Sequence, residues 1–210
     1  MRSLLLIPLL FSMSQPVIGW GDVGHRAVAY LAEKYLTDQG SDLVNELLAN
    51  DKGYDISDAA TWADTIKWKR PYTRPWHYIV WDTAIPHKIN GVKHNLKHNA
   101  EKEASARWAD RLYERNRFRP MANECSNIRN PLKCVVQWAA ESNWLICNFV
   151  LQKGIPWLED HDLGGQYYKK AEPIVEEQIL KAALRLAVWI NTLAADRASS
   201  TEPLLVQNEL

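Results

Sequence analysis

The side chains able to do chemistry fall in a few short stretches. Trp20-Gly21-Asp22-Val23-Gly24-His25 is the first. If processing makes Trp20 an N-terminus, its α-amine and carbonyl oxygen close a five-membered chelate ring on a metal, and His25, one short turn on, can add an imidazole. An α-amine titrates near neutrality, so it gives up its proton readily to a metal. The same stretch also reads as a helix start with an incidental histidine. Asp64 and Lys67 are three residues apart, a spacing that puts both on one helical face. They offer a hard oxygen ligand and a cation for an anionic group, or else a surface ion pair. Pro75-Trp76-His77-Tyr78-Ile79 sets a histidine among aromatics. A ring there can stack on a base, worth about 1–3 kcal/mol with little sequence preference; the alternative is a histidine in an aromatic core. His94 and His98 are four apart, but no Glu lies between them as in H-E-x-x-H, and Lys93 and Lys97 disfavour a cation, so this pair reads as a solvated face.

The elements that must position these groups are helical. Apolar residues recur at three/four spacing from His25 to Leu36, Asp42 to Ala49, Ile56 to Trp68 and Lys97 to Arg115. Asn130-Pro131 looks like an N-cap followed by proline, opening a helix to about Val150. Pro173 looks like the start of another, running to about Ala194. Residues 70–75 and 154–165 read as loops, the first by its two prolines. There is no repeat, linker or convincing alternating strand. The expected fold is all-α, a single mainly helical domain over residues 20–198, with a polar tail at 199–210.

Lys+Arg and Asp+Glu are both 25, and 47% of residues are hydrophobic. That balance excludes a disordered chain, a coiled coil and a polybasic nucleic-acid arm, so any nucleic-acid binding must come from a local site. Trp is over-represented, 10 against 3 Phe, which reads mainly as a tryptophan-rich core. Residues 1–19 combine a basic start, the apolar run Ser3–Phe11 and a small residue, Gly19, before a cut. This is the pattern of a secretory signal peptide, too short to span a bilayer. The chain is therefore expected to be secreted, with Trp20 as its new N-terminus. No later segment is long enough to cross a membrane, and no protein partner is indicated. Cys125 and Cys134 lie close and could pair, which leaves Cys147 over.

Taken together, the chain resembles the secreted zinc-dependent single-strand nucleases of the nuclease S-one and nuclease P-one family. The matching pieces are Trp20-Gly21 with Gly24-His25, Trp62-Ala63-Asp64-Thr65 with Lys67, and His77-Tyr78-Ile79. They continue with Trp138-Ala139-Ala140-Glu141-Ser142-Asn143, Tyr167-Tyr168, Pro173 to Gln178, and Ala183 to Ile190. Their order is collinear over nearly all of the mature chain. The resemblance implies a helical fold like that of zinc-dependent phospholipase C. It also implies three zinc ions, whose charge activates water and steadies the leaving oxygen in phosphodiester hydrolysis. Implied substrates are single-stranded DNA or RNA, cut to 5′-phosphate products, and 3′-nucleotides. Carried over position by position, Trp20 and His25 hold one zinc, Asp64 and His77 another, Lys67 sits at a lysine important for catalysis, and Tyr78 at the base-stacking aromatic.

The sequence also departs from that pattern. The family's central H-x-x-G-D-x-H-Q-P-L-H segment is absent, as is the first part of its L-H-H-x-W-D motif. Val80 runs straight into Trp81-Asp82-Thr83, the end of that motif, so several tens of residues are lacking between Val80 and Trp81. Of nine ligand positions, five have counterparts: Trp20, His25, Asp64, His77 and Asp82. His77 cannot serve both motifs, because it is five residues before Asp82 where the motif wants a ligand four before, and Tyr78 stands there. A catalytic zinc takes about three protein ligands plus a water, so fewer than three zincs and impaired activity are expected. The alternative is a secreted, non-catalytic helical protein that binds metal or nucleotide. Cys147 matches a family cysteine whose partner lies in the absent part, so the resemblance implies a Cys125–Cys134 disulfide with Cys147 free.

Overall fold

Local signals fix where the helices start. Ahead of Ile56, the Asp55 carboxylate accepts from the backbone N–H of Ser57 and Asp58, and the Asp58 carboxylate accepts from the Asp55 N–H. This reciprocal capping satisfies donors that the first turn leaves without partners. Thr37 caps the next helix upstream by accepting from the Gly40 N–H.

A computed structural model of the chain describes residues 21–49, 53–73, 98–120 and 128–200. Among these, seven α-helices and no strand are present: α1 (Asp22–Glu33), α2 (Asp38–Leu48), α3 (Ile56–Lys69), α4 (His98–Asn116), α5 (Pro131–Leu145), α6 (Ile155–Asp160) and α7 (Gln166–Ser199). The all-α expectation holds. α5 runs on through a five-residue π-helical segment, Ile146–Val150. No described helix is long and apolar enough to cross a membrane.

α1 is the hub. It packs against α3, α4 and α7, while α2 packs against α7. His25 faces Asp64, Arg26 reaches Ser57 and Asp58, and Tyr30 reaches Asp55, so α1 and α3 run antiparallel. Val23 meets Ser105, Lys34 meets Asp110 and Tyr35 meets Asn116, so α1 and α4 run parallel. Between them lies one apolar cluster of Ala27, Leu31, Ala32, Ala109, Leu112, Ile179, Leu180, Ala183, Leu184 and Ala187. Half of it is alanine, which lets the helix axes approach closely. At the α2–α7 contact, Gly40 leaves room for Asn191: a Cβ there would sit 2.3 Å from Asn191 Oδ1. That side chain bridges Thr37 N–H and the Tyr35 carbonyl.

Three expectations are corrected. The tryptophans do not form the core: none of those described is fully buried, and Trp62, Trp68 and Trp144 are exposed. Close alanine-mediated packing leaves no space for an indole. Pro173 does not open the last helix, which starts at Gln166 and carries Pro173 in its interior. The lost N–H bond is tolerated because the helix is held further on, through Ile179 to Ala187. The stretch 154–165 is not all loop, since it contains α6, where Pro156 sits at the first turn. Smaller shifts occur at α1 and α2, which begin at Asp22 and Asp38, and at Asn130, which precedes α5 without a side-chain cap bond.

Candidate metal centre

The N-terminal turn of α1 lies beside the C-terminal half of α3, and this brings two of the expected site residues together. His25 Nε2 is 3.1 Å from Asp64 Oδ2, with both side chains about one-third exposed. The other carboxylate oxygen, Oδ1, accepts from Lys67 Nζ at 2.5 Å. Lys67 is itself buried, and its ammonium lies 6.0 Å from the centre of the Trp68 ring. Asp64 is thus gripped on one oxygen by a cation from its own helix, while the second oxygen faces an imidazole.

An imidazole nitrogen and a carboxylate oxygen are the donors zinc favours. Their 3.1 Å separation is close to that of two ligand atoms each about 2 Å from one ion. His25 and Asp64 are therefore donors of the kind zinc takes, set side by side, where the resemblance assigns them to two separate ions. Among the described residues no group of three His, Cys, Asp or Glu side chains converges on a point. Trp20, His77, Tyr78 and Asp82 lie outside the described residues, as do His94 and Cys125. His98 opens α4, and its side chain is likewise not described. Cys134 is buried and Cys147 is an exposed free cysteine.

Beneath the pair is a polar network that the sequence reading missed. Arg26 is 3% exposed. Its guanidinium donates to Ser57 Oγ at 3.0 Å and Asp58 Oδ1 at 2.8 Å, with a longer contact of 3.5 Å to Thr61 Oγ1. From α4, Lys102 Nζ donates to Asp58 Oδ2 at 2.5 Å and to Asp55 Oδ2 at 3.2 Å. Tyr30 O–H also donates to Asp55 Oδ2, at 2.9 Å. Burial pushes the Asp58 carboxyl up, but hydrogen bonds from Lys102, Arg26 and the Asp55 N–H outweigh it and bring the pKa down to about 2. The same contest lowers Asp55: burial raises it, and Ser57, Tyr30 and Lys102 pull it down. Lys102 is correspondingly raised, its desolvation outweighed by the two carboxylates. Two signals were available in the sequence: the Asp55-x-x-Asp58 spacing of a capping box, and an arginine set among the inward Ala27, Ala29 and Leu31 of α1.

An apolar groove of about 850 Å³ opens from His25 along α5 and α7, walled by Trp138, Phe149, Tyr167 and Trp189 among others. Glu141, from the motif at 138–143, accepts from Arg185 Nη2 at 2.5 Å, and the Arg185 guanidinium stacks 5.1 Å over Trp138. Burial raises the Glu141 carboxyl, but the bond and charge of Arg185 lower it overall. These motif residues tie α5 to α7.

The family model described as S1/P1 Nuclease matches residues 20–79 and 80–195, in two pieces that meet within a residue of the Val80–Trp81 junction. Nuclease S1 of Aspergillus oryzae is 23% identical over an alignment of 272 residues, covering 88% of this chain and 95% of the relative. That alignment is longer than the chain's own 210 residues, so the relative carries a block without counterpart here. Nuclease PA3 of a Penicillium species and Nuclease P1 of Penicillium citrinum are each 32% identical over 116 residues. Those matches cover 54% of this chain and 42% of the relative, so they span less than half the length of either Penicillium protein. With the family model matching residues 20–195 of the chain, broken at one junction, the chain belongs to the S1/P1 nuclease family.

Proposed function

We propose that this chain is the shortened form of a secreted, zinc-dependent nuclease, with a partial metal site and weak hydrolysis of single-stranded DNA or RNA. The observation that carries this reading is the pairing of His25 Nε2 with Asp64 Oδ2 at 3.1 Å, with Lys67 fixing the other carboxylate oxygen. Zinc bound there supplies a Lewis acid and a nucleophile available at neutral pH. In the hydrolysis, a water oxygen bonds to phosphorus, the bond from phosphorus to the 3′-oxygen breaks, and that oxygen leaves with a proton, giving a 5′-phosphate. The chain's own part is to hold charge and geometry: His25 presents a donor to one ion and Asp64 to another beside it, and Lys67 keeps the carboxylate from rotating. Trp20, His77 and Asp82 are the further metal ligands in this reading, and Tyr78 stacks on the base. The family's 3′-nucleotidase activity is expected to be weakened alongside.

Two further parts belong to the same reading. Residues 1–19 are a leader, and sequencing of secreted material is expected to begin at Trp20. Cys125 pairs with Cys134: Cys134 is buried and bonded rather than a free thiol, and Cys147 is free. Thiol labelling is expected to modify Cys147 alone.

The test is zinc stoichiometry together with turnover of single-stranded DNA and RNA. It is run on this chain and on one carrying the Aspergillus relative's extra block at the 79/80 junction. The short chain is expected to bind fewer than three zincs and to turn over slowly, and the lengthened chain to recover both. Three tight zincs and full turnover in the short chain would contradict the shortened-site reading. Zinc binding with no turnover in either chain would favour a secreted metal- or nucleotide-binding protein instead.

A further inference from the structure

We propose that Arg26 is a positioning residue for the His25–Asp64 pair, which makes metal affinity at these two donors depend on a side chain bonded to Ser57, Asp58 and Thr61. The inference rests on the metal-site reading above and adds a residue to it. Along the antiparallel α1–α3 interface the polar contacts form successive rungs. His25 meets Asp64, Arg26 meets Thr61, Asp58 and Ser57, and Tyr30 meets Asp55. Arg26 is the rung directly beneath the pair. Adjacent helical residues point about 100° apart, so His25 can face the groove while Arg26 turns into α3.

The guanidinium is suited to this task in a way that a single bond is not. Its planar fork contacts three α3 side chains over one helical turn, and so fixes both the spacing of the helices and the rotation of α3 about its axis. Asp64 lies three residues after Thr61, next along the same α3 face. Rotation or sliding of α3 by a fraction of an ångström therefore moves Asp64 Oδ2 relative to His25 Nε2. The anchor is firm because Asp58 is held on its other oxygen by Lys102 from α4, and Arg26 is 3% exposed, so water does not compete for its bonds. Residues that orient ligands from behind commonly change metal affinity 10- to 100-fold when removed.

The experiment compares the full mature chain with Arg26→Met, Arg26→Lys and Tyr30→Phe. Tyr30→Phe loosens the same interface one rung further from the pair, and so controls for general weakening. Thermal unfolding ranks the stabilities. Zinc affinity is measured with zinc alone against a chelator, and the His25 side-chain nitrogen signals are followed by NMR in the metal-free protein. Arg26→Met is expected to lower zinc affinity at least tenfold and to shift the His25 Nε2 signal, with Arg26→Lys intermediate. Tyr30→Phe is expected to lower the melting temperature with little change in either. Equal losses in Arg26→Met and Tyr30→Phe at matched stability, or an unmoved His25 signal in a folded Arg26 variant, would overturn the proposal. If Arg26→Met fails to fold, Arg26→Lys is read by the same two criteria. If the parent chain binds no zinc, the metal-site reading falls, and the NMR comparison alone decides whether Arg26 sets the His25–Asp64 contact.

Discussion

The bundle of α1, α3, α4 and the second half of α7 is built differently from the arm of α5, the π segment, α6 and the first half of α7. In the bundle, Leu31, Ile179, Ala27 and Ala183 are fully buried, and charged groups beside them are interlinked. In the arm, α5 buries only Cys134, and the π segment and α6 bury nothing. Leu132, Val136, Trp144 and Ile146 are all exposed there. The arm meets the bundle through single contacts, such as Trp138 on Trp189 at 5.4 Å and Glu141 on Arg185. The difference teaches that carrying a motif's residue types and packing them are separate matters. The stretches at 138–143 and 62–67 both lie within the family match, yet only the second sits on a packed helix.

Five measurements break or sharpen that contrast. The largest effect belongs to the bundle core: Leu31→Ala is expected to cost about 3–4 kcal/mol in urea unfolding, because a fully buried leucine leaves a cavity that its alanine neighbours cannot fill. Hydrogen exchange in the same sample should show α1 amides protected far longer than those of α5; equal protection would abolish the distinction between the two regions.

The next effect is acid sensitivity of the polar network. The Asp58 carboxyl is held at about 2 in the folded chain against 3.8 for the free group. A depressed carboxyl stabilises the fold above its unfolded pKa and loses that contribution as pH falls through the folded one. About 2 kcal/mol should therefore disappear between roughly pH 4 and pH 2, and Asp58→Asn should flatten that part of the profile. A smaller effect is expected in the arm, where Trp144→Ala at 62% exposure should cost about 1 kcal/mol or less. The smallest lies at the surface between α4 and α7. Arg119 forms a two-pronged pair with Glu177 at 2.7 and 2.8 Å, both side chains more than one-third exposed. Arg119→Gln should cost about 0.5 kcal/mol, less in high salt.

Much of this arrangement was legible in the sequence, and the failures have physical causes. Periodicity located α1, α3 and α4 to within a few residues, and the spacing Asp64-x-x-Lys67 correctly put both groups on one face. The nearness of His25 and Asp64 was readable only from the family motifs, because nothing local says that α1 lies antiparallel on α3. The rule that proline opens helices worked at Pro131 and failed at Pro173, where packing further along α7 outweighs one lost backbone bond. Tryptophan count misled about the core because a bundle held together by alanines has no room for indoles. The Arg26 network stayed hidden for a related reason: a charge on an inward helix face is recognisable only once its partners on α3 and α4 are known.

One consequence of the Lys102 bonds concerns chain length. Asp55 and Asp58 precede the 79/80 junction, and Lys102 follows it. These bonds therefore close a ring of chain through that junction. The entropy cost of closing a ring grows only with the logarithm of its length, about 0.6 kcal/mol for each doubling. The α3–α4 clasp can thus hold the same geometry around a short or a long connection. A longer or shorter connection at this junction therefore changes the ring-closure cost to the bundle by about 0.6 kcal/mol per doubling of its length.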